Sequence, residues 1–115
     1  MPEQAKVLLI VDDEPSNIDI VKQLMPAQYK LKAAKSGMLA EKICAKAMPD
    51  VILMDVQMPE QSGIETVAHI RALPDGDKTT IIYATGSPLP EGTPPEQGVL
   101  LKPIEKEQFL ALIEA

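Results

Sequence analysis

Val7-Leu8-Leu9-Ile10-Val11-Asp12-Asp13-Glu14-Pro15 is the stretch whose reading decides the fold. A short, unbroken apolar run of this kind is what a strand buried on both faces of a sheet requires. The run stops abruptly at Asp12, Asp13 and Glu14, and Pro15 suits the first position of a helix, where its missing N–H costs nothing. Ile18, Val21, Leu24 and Met25 then recur at helical spacing until Pro26 ends the pattern. The expected order is strand, acidic turn, helix.

The same order repeats along the chain. Tyr29, Leu31 and Ala33 alternate with Lys30, Lys32 and Ala34, which reads as a less buried strand. Ser36 can cap a helix running through Leu39, Ile43 and Ala47 and ending before Pro49. Val51-Ile52-Leu53-Met54 is a third strand closed by Asp55, and Met58-Pro59 with Gly63 punctuates the loop after it. Ile64, Val67, Ile70 and Arg71 trace a helix, and Pro74-Asp75-Gly76-Asp77 is a turn. Ile81-Ile82-Tyr83-Ala84 ends at Thr85, Val99-Leu100-Leu101 leads to Lys102-Pro103, and a last helix carries Phe109, Leu110 and Ile113 on one face. Strands alternating with helices imply parallel strands joined by right-handed crossovers, hence a doubly wound α/β sheet with helices on both faces. Segment 86–97 is the exception. It holds Pro88, Pro90, Pro94, Pro95 and Gly92, and each interior Pro costs a helix about 3 kcal/mol. The crossover helix expected there, the fourth in order, is lost or shortened.

With 115 residues the chain has room for one domain, spanning 1–115. A net charge of −6 argues against direct nucleic-acid binding, which needs clustered Lys and Arg. No segment is long and apolar enough for a membrane span, and Met1-Pro2-Glu3-Gln4 shows no signal-peptide pattern. Cys44 has no second cysteine to pair with and fits a reducing compartment, so the cytoplasm is the expected location. Cys44 reads as a packing residue, and His69, off the apolar face of its helix, as a solvated one.

Ligands of open parallel sheets bind beyond the carboxyl ends of the strands, where strand order reverses. Asp12 and Asp13 end the first strand, Asp55 the third, Thr85 the fourth and Lys102 the fifth, so all five open onto one rim. Three close carboxylates repel unless a cation compensates, and a hard divalent ion such as Mg²⁺ suits oxygen ligands. Lys102 adds positive charge, an arrangement fit for a transferring phosphoryl group. Asp55 is the expected nucleophile. Thr85 can offer its hydroxyl to a phosphoryl oxygen, and Gly86 leaves space beside it.

Asp12-Asp13-Glu-Pro, Met54-Asp55-Val-Gln-Met58-Pro59 followed by Gly63, Thr85-Gly86 and Lys102-Pro103 stand in order with helix-sized gaps. Together they resemble the receiver domain of bacterial two-component response regulators, over nearly the whole chain. The resemblance implies a flavodoxin-like five-stranded sheet in the order 2-1-3-4-5. It also implies Mg²⁺ held by Asp12, Asp13, Asp55 and the backbone carbonyl of Gln57. Asp55 would be the phosphoacceptor, Thr85 the switch hydroxyl and Lys102 the phosphoryl clamp, with a cis Lys102–Pro103 bond. Implied partners are a sensor histidine kinase or histidine phosphotransfer protein, and a downstream target protein or fused output domain.

Two departures matter. Val99 occupies the position where receivers usually carry Tyr or Phe, so the aromatic switch is missing. Tyr83-Ala84-Thr85-Gly86-Ser87 is similar to the Phe-Ala-Thr-Gly-Tyr motif of an atypical subgroup with a mobile loop in place of the fourth helix. Signalling by ordering of loop 86–97 on phosphorylation is the corresponding expectation. Two other functions stay open at this point. One is a small phosphatase resembling the haloacid dehalogenase group, against which the adjacent Asp12-Asp13 and the lack of a cap insertion count. The other is a receiver that binds partners without phosphorylation. A receiver proper is no enzyme beyond promoting its own aspartyl phosphorylation and dephosphorylation. The chain reads equally as a complete single-domain regulator or as the receiver of a longer protein.

Overall fold

The computed structural model describes residues 6–25, 29–86, 89, 91–92, 98–102 and 104–113. The elements run β1 (Lys6–Val11), α1 (Pro15–Leu24), β2 (Tyr29–Ala34), α2 (Gly37–Lys46), β3 (Val51–Asp55), α3 (Gly63–Arg71), β4 (Thr80–Thr85), β5 (Gly98–Leu101) and α4 (Lys106–Ile113). All strand pairs are parallel, and the sheet order is β2-β1-β3-β4-β5. This is the flavodoxin-like arrangement expected from the sequence.

Side-chain alternation in the central strands builds two cores. Leu9, Val11, Ile52, Met54, Ile81 and Tyr83 face α2 and α3, where they meet Ala40, Cys44, Val67 and Ile70. Leu8, Ile10, Val51, Leu53 and Ile82 face the other way, against Val21 of α1 and Phe109 and Ile113 of α4. Both sides of β1, β3 and β4 are thereby covered, which is why the middle residues of these strands are apolar in succession rather than alternating. β2, at an edge, alternates partial burial with exposed Lys30 and Ala33.

Local chemistry sets the helix starts. Pro15 stands at the beginning of α1, and the Ser36 hydroxyl accepts from the Leu39 amide at 3.1 Å to cap α2. Ser62 and Glu65 form a reciprocal capping box at the start of α3, each amide donating to the other's side chain at 3.1 Å. Arg71 closes the far end by donating to the carbonyls of Gly76 and Thr79 at 2.7 and 2.8 Å.

The fully buried residues of α2 are Gly37, Ala40 and Cys44, while Ile43 is partly buried against the same core and Leu39 is 43% exposed. Small residues face α3 because the two helices approach closely: a Cβ at Gly37 would collide with the Thr66 hydroxyl. Between β4 and β5 the described residues contain no helix, and Glu91 and Gly92 lie in a turn. Val99 and Leu101 of β5 are 45% and 59% exposed while Leu100 between them is buried. The remainder of loop 86–97, Pro26 and the Lys102–Pro103 bond lie outside the described residues.

Burial at 3% exposure pushes the Cys44 thiol up to about 11, with the charge of Glu41 adding to the effect. The thiol therefore stays protonated in the folded protein at pH 8. Labelling with a disulfide reagent at that pH should be slow in buffer and accelerate with urea in step with unfolding. Labelling at the rate of a free thiol in native buffer would contradict this packing.

Candidate functional site

Register in the sheet decides what meets at the rim. Val11 pairs with Met54, so Asp12 follows β1 at the level where Asp55 closes β3. Asp55 is in register with Ala84, which places Thr85 one residue further along β4. The Lys102 amide donates to the Thr85 carbonyl at 2.8 Å, bringing the exit of β5 to the same end. β1 lies between β2 and β3, so the crossover directions diverge here, and this is where a doubly wound sheet opens its crevice.

The side chains converge as their positions require. Lys102 Nζ donates to Asp12 Oδ2 at 3.0 Å and to Asp55 Oδ1 at 3.1 Å. Asp12 and Asp55 are only 3% and 4% exposed. Asp12 Oδ1 accepts from the Glu14 amide at 2.9 Å, and Asp55 Oδ1 from the Gln57 amide at 3.4 Å. Asp13, less buried, completes a group in which one carboxylate oxygen from each of Asp12, Asp13 and Asp55 lies within 4.8 Å of the others. Thr85 is buried at the end of β4. The structure thus brings together Asp12, Asp13, Asp55 and Lys102 directly, with Thr85 and Gln57 on the adjoining backbone.

Electrostatics follow from burial. Desolvation raises the Asp55 pKa and the neighbouring Asp12 adds to the rise, outweighing the opposing pull of Lys102. Burial alone would lower the Lys102 pKa, but its hydrogen bonds to Asp12 and Asp55 win and raise it, so the ammonium stays charged. Three carboxylates against one ammonium leave two negative charges when all are ionised. The oxygen-only donor set and that residual charge fit a hard divalent cation.

The backbone after Asp55 is held just as closely. Gly63 N donates to the Val56 carbonyl at 2.9 Å, and a Cβ at Gly63 would collide with the Asp55 carbonyl. Gly63 is thus required for α3 to begin directly over the end of β3. His69, expected as a solvated residue, has a half-exposed side chain but pairs with Glu41 at 2.8 Å. Neither Glu41 nor Gln61, its second partner, was singled out from the sequence, because nothing in residue type or spacing signals a pairing across two helices.

A doubly wound parallel sheet that gathers buried acids and a lysine at its switch point places this chain among the α/β proteins with a polar crevice at the carboxyl ends of their strands. The chain matches the response regulator receiver domain over residues 8–114. It is a member of that family. It is 33% identical over 116 residues to the signal transduction histidine-protein kinase BarA of Escherichia coli, covering 95% of this chain and 12% of BarA. It is 40% identical over 84 residues to a probable cyclic di-GMP phosphodiesterase of Vibrio cholerae, covering 73% of this chain and 19% of that protein. The chain therefore spans less than a fifth of the length of either relative. Among solved structures it is similar to the Vibrio cholerae chemotaxis protein CheY4, with a TM-score of 0.84, 30% identity, and coverage of 95% of this chain and 96% of that one. It also shares the fold of the receiver domain of Pseudomonas aeruginosa sensor histidine kinase PA1611, which has a magnesium ion in its active-site cleft. That likeness has a TM-score of 0.86 and 23% identity, and covers 96% of this chain and 95% of the other. No helix of the described residues is long and apolar enough to cross a membrane.

A raised carboxylate pKa has a defined stability signature. Above its folded pKa, Asp55 is charged in both states and its burial costs stability in full. Below its unfolded pKa it is neutral in both states and the cost is gone. In metal-free buffer with chelator, Asp55→Asn should therefore raise the melting temperature at pH 7, with the gain shrinking as pH falls through the folded pKa. A melting temperature lowered by Asp55→Asn at pH 7 would contradict this balance of charges.

Proposed function

We propose that this receiver accepts a phosphoryl group on Asp55 from a phosphohistidine, supplied by a sensor histidine kinase or a histidine phosphotransfer protein. The observation that carries the reading is the Lys102 ammonium lying within 3.1 Å of both Asp12 and Asp55, at the end of a rigid central strand. Asp12, Asp13, Asp55 and the Gln57 carbonyl would hold Mg²⁺, which when bound supplies charge neutralisation for the phosphoryl oxygens.

The chain's own residues account for the remaining requirements. A carboxylate oxygen of Asp55 forms the new P–O bond as the P–N bond of the donor breaks, and the imidazole nitrogen leaves with the electron pair. Oδ1 of Asp55 is already engaged by Lys102 and the Gln57 amide. The other oxygen is the natural attacking atom. Lys102 follows the incoming charge from the carboxylate to a phosphoryl oxygen, and the Thr85 hydroxyl donates to another. The phosphorylated domain then changes its contacts with a downstream target or a fused output domain. Its relatives' roles in a kinase and in a phosphodiesterase suit either arrangement. A cytoplasmic location accords with a donor of this kind.

Incubation with acetyl phosphate and Mg²⁺ should add one phosphoryl group per chain, read by intact mass, and chelator or Asp55→Asn should abolish it. Lys102→Ala should reduce the rate by about 100-fold or more, the scale of losing one preorganised donor to developing charge. Repeated turnover of a phosphate ester without a stable adduct would favour a phosphatase. Labelling that persists in Asp55→Asn would refute Asp55 as the acceptor.

A further inference from the structure

The loop between β3 and α3 carries Gln57, and its last turn is tied to α2 by a side-chain network that the site described above does not use. Glu41 of α2 accepts from Gln61 Nε2 at 2.5 Å and from His69 Nδ1 of α3 at 2.8 Å. Gln61 Nε2 also lies 2.9 Å from the hydroxyl of Thr66, a residue with no exposed surface. That hydroxyl donates its single hydrogen to the Ser62 carbonyl at 2.8 Å. It must therefore accept at Gln61, and a carboxylate can only accept, so both Nε2 hydrogens of Gln61 are spent on donation. The amide orientation is dictated by its neighbours. Gly37 makes room for it, because a Cβ there would run into both the Gln61 amide and the Thr66 hydroxyl.

Glu60, immediately before Gln61, sits at φ +70°, in the left-handed region that non-glycine residues occupy only at a cost. Such a conformation persists where the surroundings over-determine it. On one side the Gln61 amide N donates to the Pro59 carbonyl at 2.7 Å, and on the other Gly63 N closes the loop on Val56. The Gln61 side chain adds the anchor to α2. A strained residue, an anchor and a closed loop together fix the path of the backbone from Asp55 through Gln57.

We infer that Gln61, held by Glu41, is a positioning residue: it sets the backbone of residues 56–60 so that the Gln57 carbonyl stands ready for the metal. The inference rests on the proposed function, in which that carbonyl is a ligand. Gln61→Glu is the sharp test, since it keeps the shape and replaces two donors with acceptors beside the Glu41 carboxylate. Calorimetric titration with Mg²⁺ alone should show affinity about 10-fold weaker than wild type, the scale reached when groups supporting a ligand are changed. Glu41→Gln, which retains an oxygen to accept from Gln61, should stay close to wild type. His69→Ala, which loosens the α2–α3 pair and leaves the Gln61 bonds in place, should lower the melting temperature and leave Mg²⁺ affinity alone. In metal-free protein, amide exchange at Gln61 and Gly63 should speed up in Gln61→Glu and not in Glu41→Gln.

Equal Mg²⁺ affinity and equal exchange in Gln61→Glu and wild type would overturn the inference. So would an affinity loss in His69→Ala as large as that in Gln61→Glu, which would reduce the network to helix pairing. If wild type itself bound no Mg²⁺, the proposed function would fail, while the metal-free exchange comparison would still decide whether Gln61 sets the loop.

Discussion

Lys102 and the two buried acids it bridges are separated by 90 and 47 positions in the chain, yet its ammonium reaches both. An ion pair buried to this degree repays its desolvation only when geometry and further hydrogen bonds are good, and losing one partner leaves a charge stranded. The sheet meets that demand. β1 and β3 are adjacent and end level with one another, and the backbone bond from Lys102 to Thr85 fixes where β5 leaves its strand. The helices and both cores serve to hold those strand ends in register. Even so the charges do not balance, because three carboxylates meet a single ammonium. The site is built with a deficit of positive charge, and that deficit is what a divalent cation would answer.

Much of this was legible in the chain because buried parallel strands write themselves plainly. Val7–Val11 and Val51–Met54 are unbroken apolar runs, each ending at an acid, and the rule that ligands gather beyond carboxyl strand ends does the rest. The resemblance to receiver domains implies roles that polarity alone does not, a metal-ligand role for the Gln57 carbonyl among them. The residues that α2 buries are less legible, because large residues such as Leu39 dominate any hydrophobic pattern, whereas close helix packing selects Gly37, Ala40 and Cys44 for their smallness. The Ser62–Glu65 capping box is present in the sequence as Ser-x-x-Glu, but Met58-Pro59 and Gly63 drew the reading toward a loop. The Glu41 network lay beyond sequence, since its members come from two helices and a loop and share no periodicity.

The loop that follows Asp55 is heavily anchored. On the β3 side, Gly63, the capping box, Thr66 and Glu41 hold the loop firmly against α2 and α3. On the β5 side, Val99 and Leu101 turn apolar surface outward.

Substoichiometric Mn²⁺, added in place of Mg²⁺ while amide signals are followed by NMR, tests the charge-deficit account most directly. Paramagnetic broadening should erase Asp12, Asp13, Asp55, Gln57 and Lys102 first and leave the acidic turn at Asp75 and Asp77 intact. Broadening centred on that turn, or spread evenly over the acidic surface, would contradict it.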